Sequence, residues 1–200
     1  MNLRAPAILL AARTHGETAV IARALTQDYG LITGYVAGGR GRVLRPVVIP
    51  GNLVEVELRS KSDSQLPFMR LELVQSRGPW LIEPLASAAI AWATALTAAA
   101  LPERNAYPAL FAALAALIDA VCNADAARAW LRALIAYEAL MLRELGYGGT
   151  APPAEAGLER LLELFARQGP AIERYLLADR KADVMAARTM LRERLGRMTG

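Results

Sequence analysis

Residues 53–59 read LVEVELR, with Val54, Val56 and Leu58 alternating against Glu55, Glu57 and Arg59. Successive side chains of a strand point to opposite faces, so this pattern marks a strand with one face in a core and one in water. Residues 69–73 repeat it, with Arg70 and Glu72 outward. Weaker strand patterns occupy 7–12, 19–25 and 31–36. Turn-forming residues punctuate them at 14–16, 28–30, 38–41, 50–52 and 60–66. Five short strands in the first 80 residues, with no long helical pattern between them, predict a small closed barrel. The oligonucleotide-binding (OB) barrel is the commonest five-stranded solution, and an SH3-like barrel competes with it at this level.

Beyond residue 80 the period changes from 2 to 3.6. Leu158, Leu161, Leu162 and Phe165 fall at i, i+3, i+4 and i+7, with Glu159, Arg160, Glu163 and Arg167 outside. Trp130, Leu134, Tyr137, Met141 and Leu145 form a second stripe, ended by Gly146. Alanine-rich runs at 85–101 and 108–122 are apolar almost all round, as the central helices of a bundle are. Residues 184–198 predict a last helix with a basic face of Arg188, Arg192 and Arg194. Pro102, Pro108, the stretch 146–153 and Gly169-Pro170 read as breaks. The expected fold class is α+β: an OB-type barrel over residues 1–80, then an all-α bundle over 81–200.

The chain has 200 residues, 54% of them apolar and 21% charged, which excludes wholesale disorder. A single cysteine, Cys122, excludes an intrachain disulfide and cysteine-built zinc sites; a single histidine, His15, excludes His-rich metal centres. Neither metal nor cofactor is expected. The net charge of +4 is unevenly spread. Residues 1–80 carry ten basic against six acidic side chains, 81–179 seven against eleven, and 180–200 six against two. An excess at both ends of the chain points to a polyanionic partner, nucleic acid before an anionic membrane. Residues 84–102 carry no charge, but their alanine content, the bracketing Pro84 and Pro102, and the acidic flanks Glu83 and Glu103 favour a buried helix over a membrane span. The first apolar run is too short for a signal peptide, and a cytoplasmic protein is expected.

An enzyme is not expected. His15 and Glu17 are the only His–carboxylate neighbours, in a turn. Cys122 follows Leu117, Ile118 and Val121 on an apolar helix and reads as a buried thiol. Gly38-Gly39-Arg40-Gly41 lacks the Gly-Lys-Ser/Thr of a phosphate loop. Glu155, Glu159 and Glu163 share a helical face with basic neighbours, the pattern of a solvated surface.

The strongest positive feature is GGRGRVLRP at 38–46, with Arg40, Arg42 and Arg45 in a glycine-rich connection after a strand. Glycine lets backbone approach a ligand, and arginine forks pair with phosphate oxygens. Arg13 and Lys61 near strand ends, and Arg70 on an alternating strand, extend this track. Aromatics are few: Tyr29, Tyr35, Phe68 and Trp80. Phe68 reads as packing and Tyr35 points either way, so binding dominated by phosphate contacts is expected.

The ordered set Ile8-Leu9, RTHGET at 13–18, Leu25-Thr26, Tyr29-Gly30 and VAGGR at 36–40 resembles the N-terminal signature of the RecO family of bacterial DNA repair and recombination mediator proteins. LPERNAYPALF at 101–111 resembles that family's helix-turn-helix segment, and Tyr137-Glu138, Leu142 and LGYG at 145–148 its Phe-Glu…Leu-Gly-Tyr segment. The resemblance implies an OB domain and a helical domain. It also implies binding of single- and double-stranded DNA, annealing of complementary strands, and cooperation with RecR in loading RecA onto DNA coated with single-stranded DNA-binding protein (SSB). On it, Arg40 and Arg42 fall in the family's basic loop. The acidic, Phe-ended SSB tail is expected on the helical domain, with Arg128, Trp130 and Arg132 as candidate contacts. Many members carry a four-cysteine zinc module after the Leu-Gly-Tyr segment. Here residues 148–153 read GGTAPP, so the module is expected to be missing and the form to be short. A monomer, associated with the nucleoid, is expected. The alternative is a non-catalytic adaptor that binds SSB or RecR and has little DNA affinity; an RNA-binding barrel comes third.

Overall fold

The computed structural model describes residues 2–60, 65–124, 126–178 and 184–197. Five strands come first: β1 (Asn2–His15), β2 (Ala19–Thr26), β3 (Gly30–Val36), β4 (Leu53–Arg59) and β5 (Phe68–Gln75). A short 3-10 turn (Gly78–Ile82) leads to α1 (Pro84–Ala100), α2 (Pro108–Asn123), α3 (Ala127–Glu144), α4 (Leu158–Leu176) and α5 (Val184–Gly196). Two compact units result: Met1–Ile82 with Leu101–Phe111, and Glu83–Ala100 with Ala112–Gly200. Each is described by itself.

The first unit is a closed barrel with strand order β1-β2-β3-β5-β4. The long β1 serves two neighbours, pairing with β4 through Asn2–Ile8 and with β2 from Ala7 to His15, and its register shifts between Leu9 and Ala11 where it bends. All pairings are antiparallel except the last, where β3 meets β5 in parallel at Tyr35 and Phe68. This is the OB arrangement, so the SH3-like alternative is set aside. Inside, Leu3, Ala5, Ala7 and Leu9 meet Val20, Ala22, Ala24, Ile32, Val36, Val54, Val56, Leu58, Met69 and Leu71. The alternation predicted for 53–59 and 69–73 puts Val54, Val56, Leu58, Met69 and Leu71 in this core, but Leu73, near the end of β5, is 42% exposed.

Two glycines are fixed by their surroundings. A Cβ at Gly34 would lie 2.6 Å from Met69 Cβ, so only glycine lets β5 close on β3. Gly30 sits at φ +67°, and a Cβ there would lie 1.9 Å from the Asn105 carbonyl oxygen. The second contact exists because residues 101–111 return to the barrel. Arg104 N–H donates to the Leu31 carbonyl at 2.9 Å and Thr33 Oγ1 donates to Glu103 Oε1 at 2.5 Å.

In the second unit α1 packs against α5, and α3 against α4. Trp92, Leu96, Leu114, Leu131, Leu134, Tyr137, Met141, Leu161, Phe165, Leu191 and Leu195 are buried. No helix among the described residues is long and apolar enough to cross a membrane. At the centre lies a polar cluster. Arg188 donates through Nε and Nη2 to the two carboxylate oxygens of Glu138, both at 2.9 Å, and Trp92 Nε1 donates to Oε1 at 2.8 Å. Burial pushes the Glu138 carboxyl up, while the Arg188 and Trp92 donors pull it down. One turn away, Tyr137 Oη and Thr97 Oγ1 share a hydrogen bond of 2.6 Å, and burial pushes the phenol up against that bond.

Arg188 therefore overturns the expected basic outer face of α5. It is only 3% exposed, and its guanidinium lies 3.9 Å from the Phe165 ring centroid. Gly169-Pro170 does not end a helix either, because α4 runs through it. Proline removes one link of the helical ladder, and glycine leaves room beside it. Arg188 takes the room that Gly169 leaves: Nη2 donates to the Phe165 carbonyl, and a Cβ at residue 169 would lie 2.6 Å from Nη1. Cys122 is half-buried rather than buried.

Removing one partner of a buried ion pair strands the other charge, at a cost of about 3–5 kcal/mol. Arg188→Met is expected to lower the unfolding free energy by about that much. Glu138→Leu combined with Arg188→Met is expected to recover much of the loss. Urea unfolding followed by tryptophan fluorescence checks both; a double variant no more stable than Arg188→Met would contradict this account of the cluster.

Candidate nucleic-acid interface

The connection from β3 to β4, residues 37–52, is a folded loop. Arg40 N–H donates to the Thr18 carbonyl at 2.9 Å, Gly41 N–H to Gly38 at 2.8 Å, and Arg45 N–H to Gly41 at 2.9 Å. Leu44, Val47 and Val48 pack against the barrel core. Asn52, fully buried, secures the base of the loop: its Nδ2 donates to the carbonyls of Pro46 and Val47, and its Oδ1 accepts from Arg77 N–H at 2.7 Å. At Gly39 a Cβ would lie 2.6 Å from a Val20 methyl, so the loop is laid directly on β2.

These contacts divide the three loop arginines. Arg40 Nη1 donates to the carbonyls of Gly16 and Glu17, at 3.1 and 2.8 Å, which ties the loop to the β1–β2 turn. Arg45 Nη2 donates to the Arg40 carbonyl at 3.2 Å. Arg42 and Val43 stand outward, Val43 82% exposed. Thus Arg40 and Arg45 shape the loop while remaining exposed, and Arg42 stands outward beside them.

Arg42 and Val43 form one wall of a groove of about 750 Å³ whose floor is the outer face of β4 and β5. Strand register orders that floor in rows. Tyr35 on β3 lies beside Phe68 on β5, and Phe68 opposite Arg59 on β4. In the next row Arg70 faces Glu57, and Glu57 faces Arg4 on β1. In the third, Glu72 faces Glu55. The floor thus grades from aromatic and basic to acidic. Arg59 donates to Glu57 through Nε at 2.8 Å, and that hydrogen bond holds the Glu57 carboxyl below the usual range. Arg70 lies 3.9 Å from Glu72, and Arg4 bridges Glu55 at 2.9 Å and Glu72 at 3.8 Å.

Phe68 is 60% exposed, in water rather than in packing as its sequence context suggests. Its ring meets Tyr35 edge to face at 5.5 Å, and Tyr35 meets His15 in the same manner at 5.9 Å. Arg13 is exposed on β1, opposite Ile21, and is not among the groove-lining residues. Lys61 lies outside the described residues. On α3, Arg128 is exposed, Arg132 half-buried, and Trp130 4% exposed and part of the core. Sequence reasoning passed over Arg59, Tyr35, Phe68, Glu57 and Glu72 as site residues. Their outward positions were legible in the alternation, but the register that gathers them was not. Among the described residues no group of three or more His, Cys, Asp or Glu side chains could hold a metal ion.

Barrel, folded basic loop and helical unit together define an OB-barrel protein with an appended helical domain. The family model described as Recombination protein O N terminal matches residues 1–77, and Recombination protein O C terminal matches 83–149. The chain belongs to the RecO family. It is 42% identical over 143 residues to the DNA repair protein RecO of Rhodospirillum centenum, covering 71% of this chain and 56% of that protein. It is 39% identical over 143 residues to the same-named protein of Sinorhizobium medicae, with the same coverage. With that of Caulobacter vibrioides it shares 37% identity over 172 residues, 84% of this chain and 69% of the relative. The chain therefore spans little more than half the length of the first two relatives.

Arg40→Ala removes two hydrogen bonds to the β1–β2 turn, each worth about 1 kcal/mol net. Amide hydrogen exchange at residues 38–45 is expected to speed up by about tenfold or more, whereas Arg42→Ala leaves it unchanged. Equal exchange in Arg40→Ala and the parent would contradict the tethering role.

Proposed function

We propose that this chain is a non-catalytic DNA repair protein whose barrel binds DNA through the groove between the Arg42 loop and the β4–β5 floor. The observation that supports it is the convergence on one face of Arg42, Arg59 and Arg70 with the exposed ring of Phe68 and the half-buried ring of Tyr35, in a family whose curated members carry a DNA repair name. Cations meet phosphate oxygens there, and the rigid loop fixes Arg42 without further ordering on binding. Arg40 and Arg45 contribute mainly by holding that geometry; Arg13 and Lys61 are further candidate cations.

In this reading the protein binds single- and double-stranded DNA, promotes annealing of complementary strands, and helps RecR load RecA on SSB-coated DNA in the cytoplasm, at the nucleoid, as a monomer. Shielding the phosphates of a bound strand lowers the repulsion that opposes pairing. The burial of Arg188 removes it from this role and leaves Arg192 exposed on α5, so the barrel is proposed to carry most of it. Arg128 and Arg132 on α3 are the proposed cations for the acidic SSB tail, with Trp130 lending apolar support from beneath.

One observation favours a second reading. Glu57 and Glu72 line the same groove and hold Arg59 and Arg70, which reduces the charge offered to DNA, as suits an adaptor for a protein partner. Salt titration separates the two. Anisotropy of a labelled oligonucleotide is expected to fall log-linearly with salt, and Arg42→Ala to flatten the slope by about one unit with similar losses across sequences. An unchanged slope contradicts the assignment of Arg42; no binding by the folded protein at low salt favours the adaptor.

A further inference from the structure

Arg188 spends two of its three guanidinium nitrogens in the helical core, Nε and Nη2 on the Glu138 carboxylate and the Phe165 carbonyl. The third, Nη1, has no hydrogen-bond partner among the described residues, and it lies against Gly169, where a Cβ would come within 2.6 Å of it. Gly169 and the buried Arg188 both line a cavity of about 270 Å³ between α4 and α5. On the α5 side it is lined by Thr189 and by Arg192, one turn beyond Arg188; on the α4 side it is lined by Ala166 and Glu173. Arg192 and Glu173 are exposed, and among the ion pairs of the described residues none joins them. We propose that this cavity binds a free α-amino acid with an apolar side chain. Its carboxylate is held by Arg188 Nη1, Thr189 Oγ1 and Arg192, and its ammonium by Glu173 and the Ala166 carbonyl.

Charge selects this class of ligand. Arg188 is already balanced by Glu138, so the cavity adds one cation, Arg192, and one anion, Glu173, on opposite helices. A bare anion gains Arg192 but is brought toward Glu173, and a bare cation meets the reverse; only a zwitterion gains both. The backbone has the same asymmetry. Pro170 has no N–H, so the Ala166 carbonyl lacks the donor that a helix supplies four residues on and is left to accept from an ammonium. On the other wall a buried N–H without an acceptor is costly, and a carboxylate at Nη1 relieves that cost. Met185 and Pro170 offer apolar surface for a side chain. The volume lies below the roughly 300–1,000 Å³ of sites for drug-sized ligands, so the cavity has room for an amino acid and not for a nucleotide. The last residue of a peptide lacks the free ammonium, and an acidic protein tail would bring more carboxylates toward Glu173. The site uses neither the barrel face nor Arg128 and Arg132, so it stands or falls separately from the function proposed above.

Isothermal titration calorimetry of the full chain at low ionic strength tests this, with L-leucine as the probe. Two analogues each lack one of its charges: 4-methylpentanoate has no ammonium and 3-methylbutylamine no carboxylate. Leucine is expected to saturate the protein at millimolar concentration, and each analogue to bind about tenfold more weakly or worse. Arg192→Gln and Glu173→Gln alter exposed side chains and are checked for folding by circular dichroism. Each is expected to weaken leucine binding about tenfold. Pro170→Ala, which returns an N–H to the Ala166 carbonyl, is expected to weaken it as well. No binding of leucine by the folded protein, equal affinity for leucine and 4-methylpentanoate, or leucine binding untouched by both glutamine variants would overturn the proposal.

Discussion

The barrel closes through one pair of residues, Tyr35 on β3 and Phe68 on β5, and the candidate site depends on that closure. Tyr35 N–H donates to the Pro67 carbonyl at 2.8 Å, the hydrogen bond that brings the two strands together. Gly34 permits the approach by leaving room for Met69. Once the strands meet, alternation does the rest: Met69 and Leu71 turn into the core, and Phe68 and Arg70 turn outward beside Tyr35 and Arg59. The same contact that completes the hydrogen-bonding of the barrel therefore assembles an aromatic pair, Phe68 exposed and Tyr35 half-buried, at the edge of a groove. A barrel left open at this seam would keep its strands and lose its binding face.

Charge is used differently in the two units. In the helical unit Arg188 is consumed by Glu138, Trp92 and the Phe165 carbonyl, a fully desolvated cluster whose value lies in mutual satisfaction, since either charge alone would be costly. On the barrel the charges are exposed and loosely held, and such pairs contribute little to stability. They are available to a ligand for that reason. The loop arginines fall between these cases: Arg40 spends one guanidinium nitrogen on the Gly16 and Glu17 carbonyls and so holds Arg42 at the groove wall.

Much of this was legible in the sequence, because period alone decides which face a residue takes. LVEVELR at 53–59 declared its strand and its core face, and the stripe from Trp130 to Met141 its helix. What could not be read were relations between distant residues. Nothing local distinguishes Arg188 from Arg192, and only the glycine at 169 and the carboxylate at 138 make the first a core residue. Gly169-Pro170 carried the composition of a helix end, yet α4 runs through it and the room that Gly169 leaves is taken by that arginine. Composition reads Phe68 as core or edge packing; its ring does pack edge to face on Tyr35, while its exposure follows from strand parity. Arg40 reads as a phosphate contact on composition, and its tether to carbonyls across 23 and 24 residues of sequence is invisible until the loop is folded. Pro102 and Pro108 read as breaks between helices, and the return of the segment between them to β3 rests on the Arg104–Leu31 and Thr33–Glu103 contacts, which leave no periodic trace.

The central claim, that the barrel face beside the Tyr35–Phe68 seam is where nucleic acid binds, is tested most directly by mapping hydrogen-exchange protection on the full chain with a saturating single-stranded oligonucleotide. The account expects protection concentrated in residues 37–45 and 67–72. Protection confined to the helices, with those two segments unchanged, would contradict it.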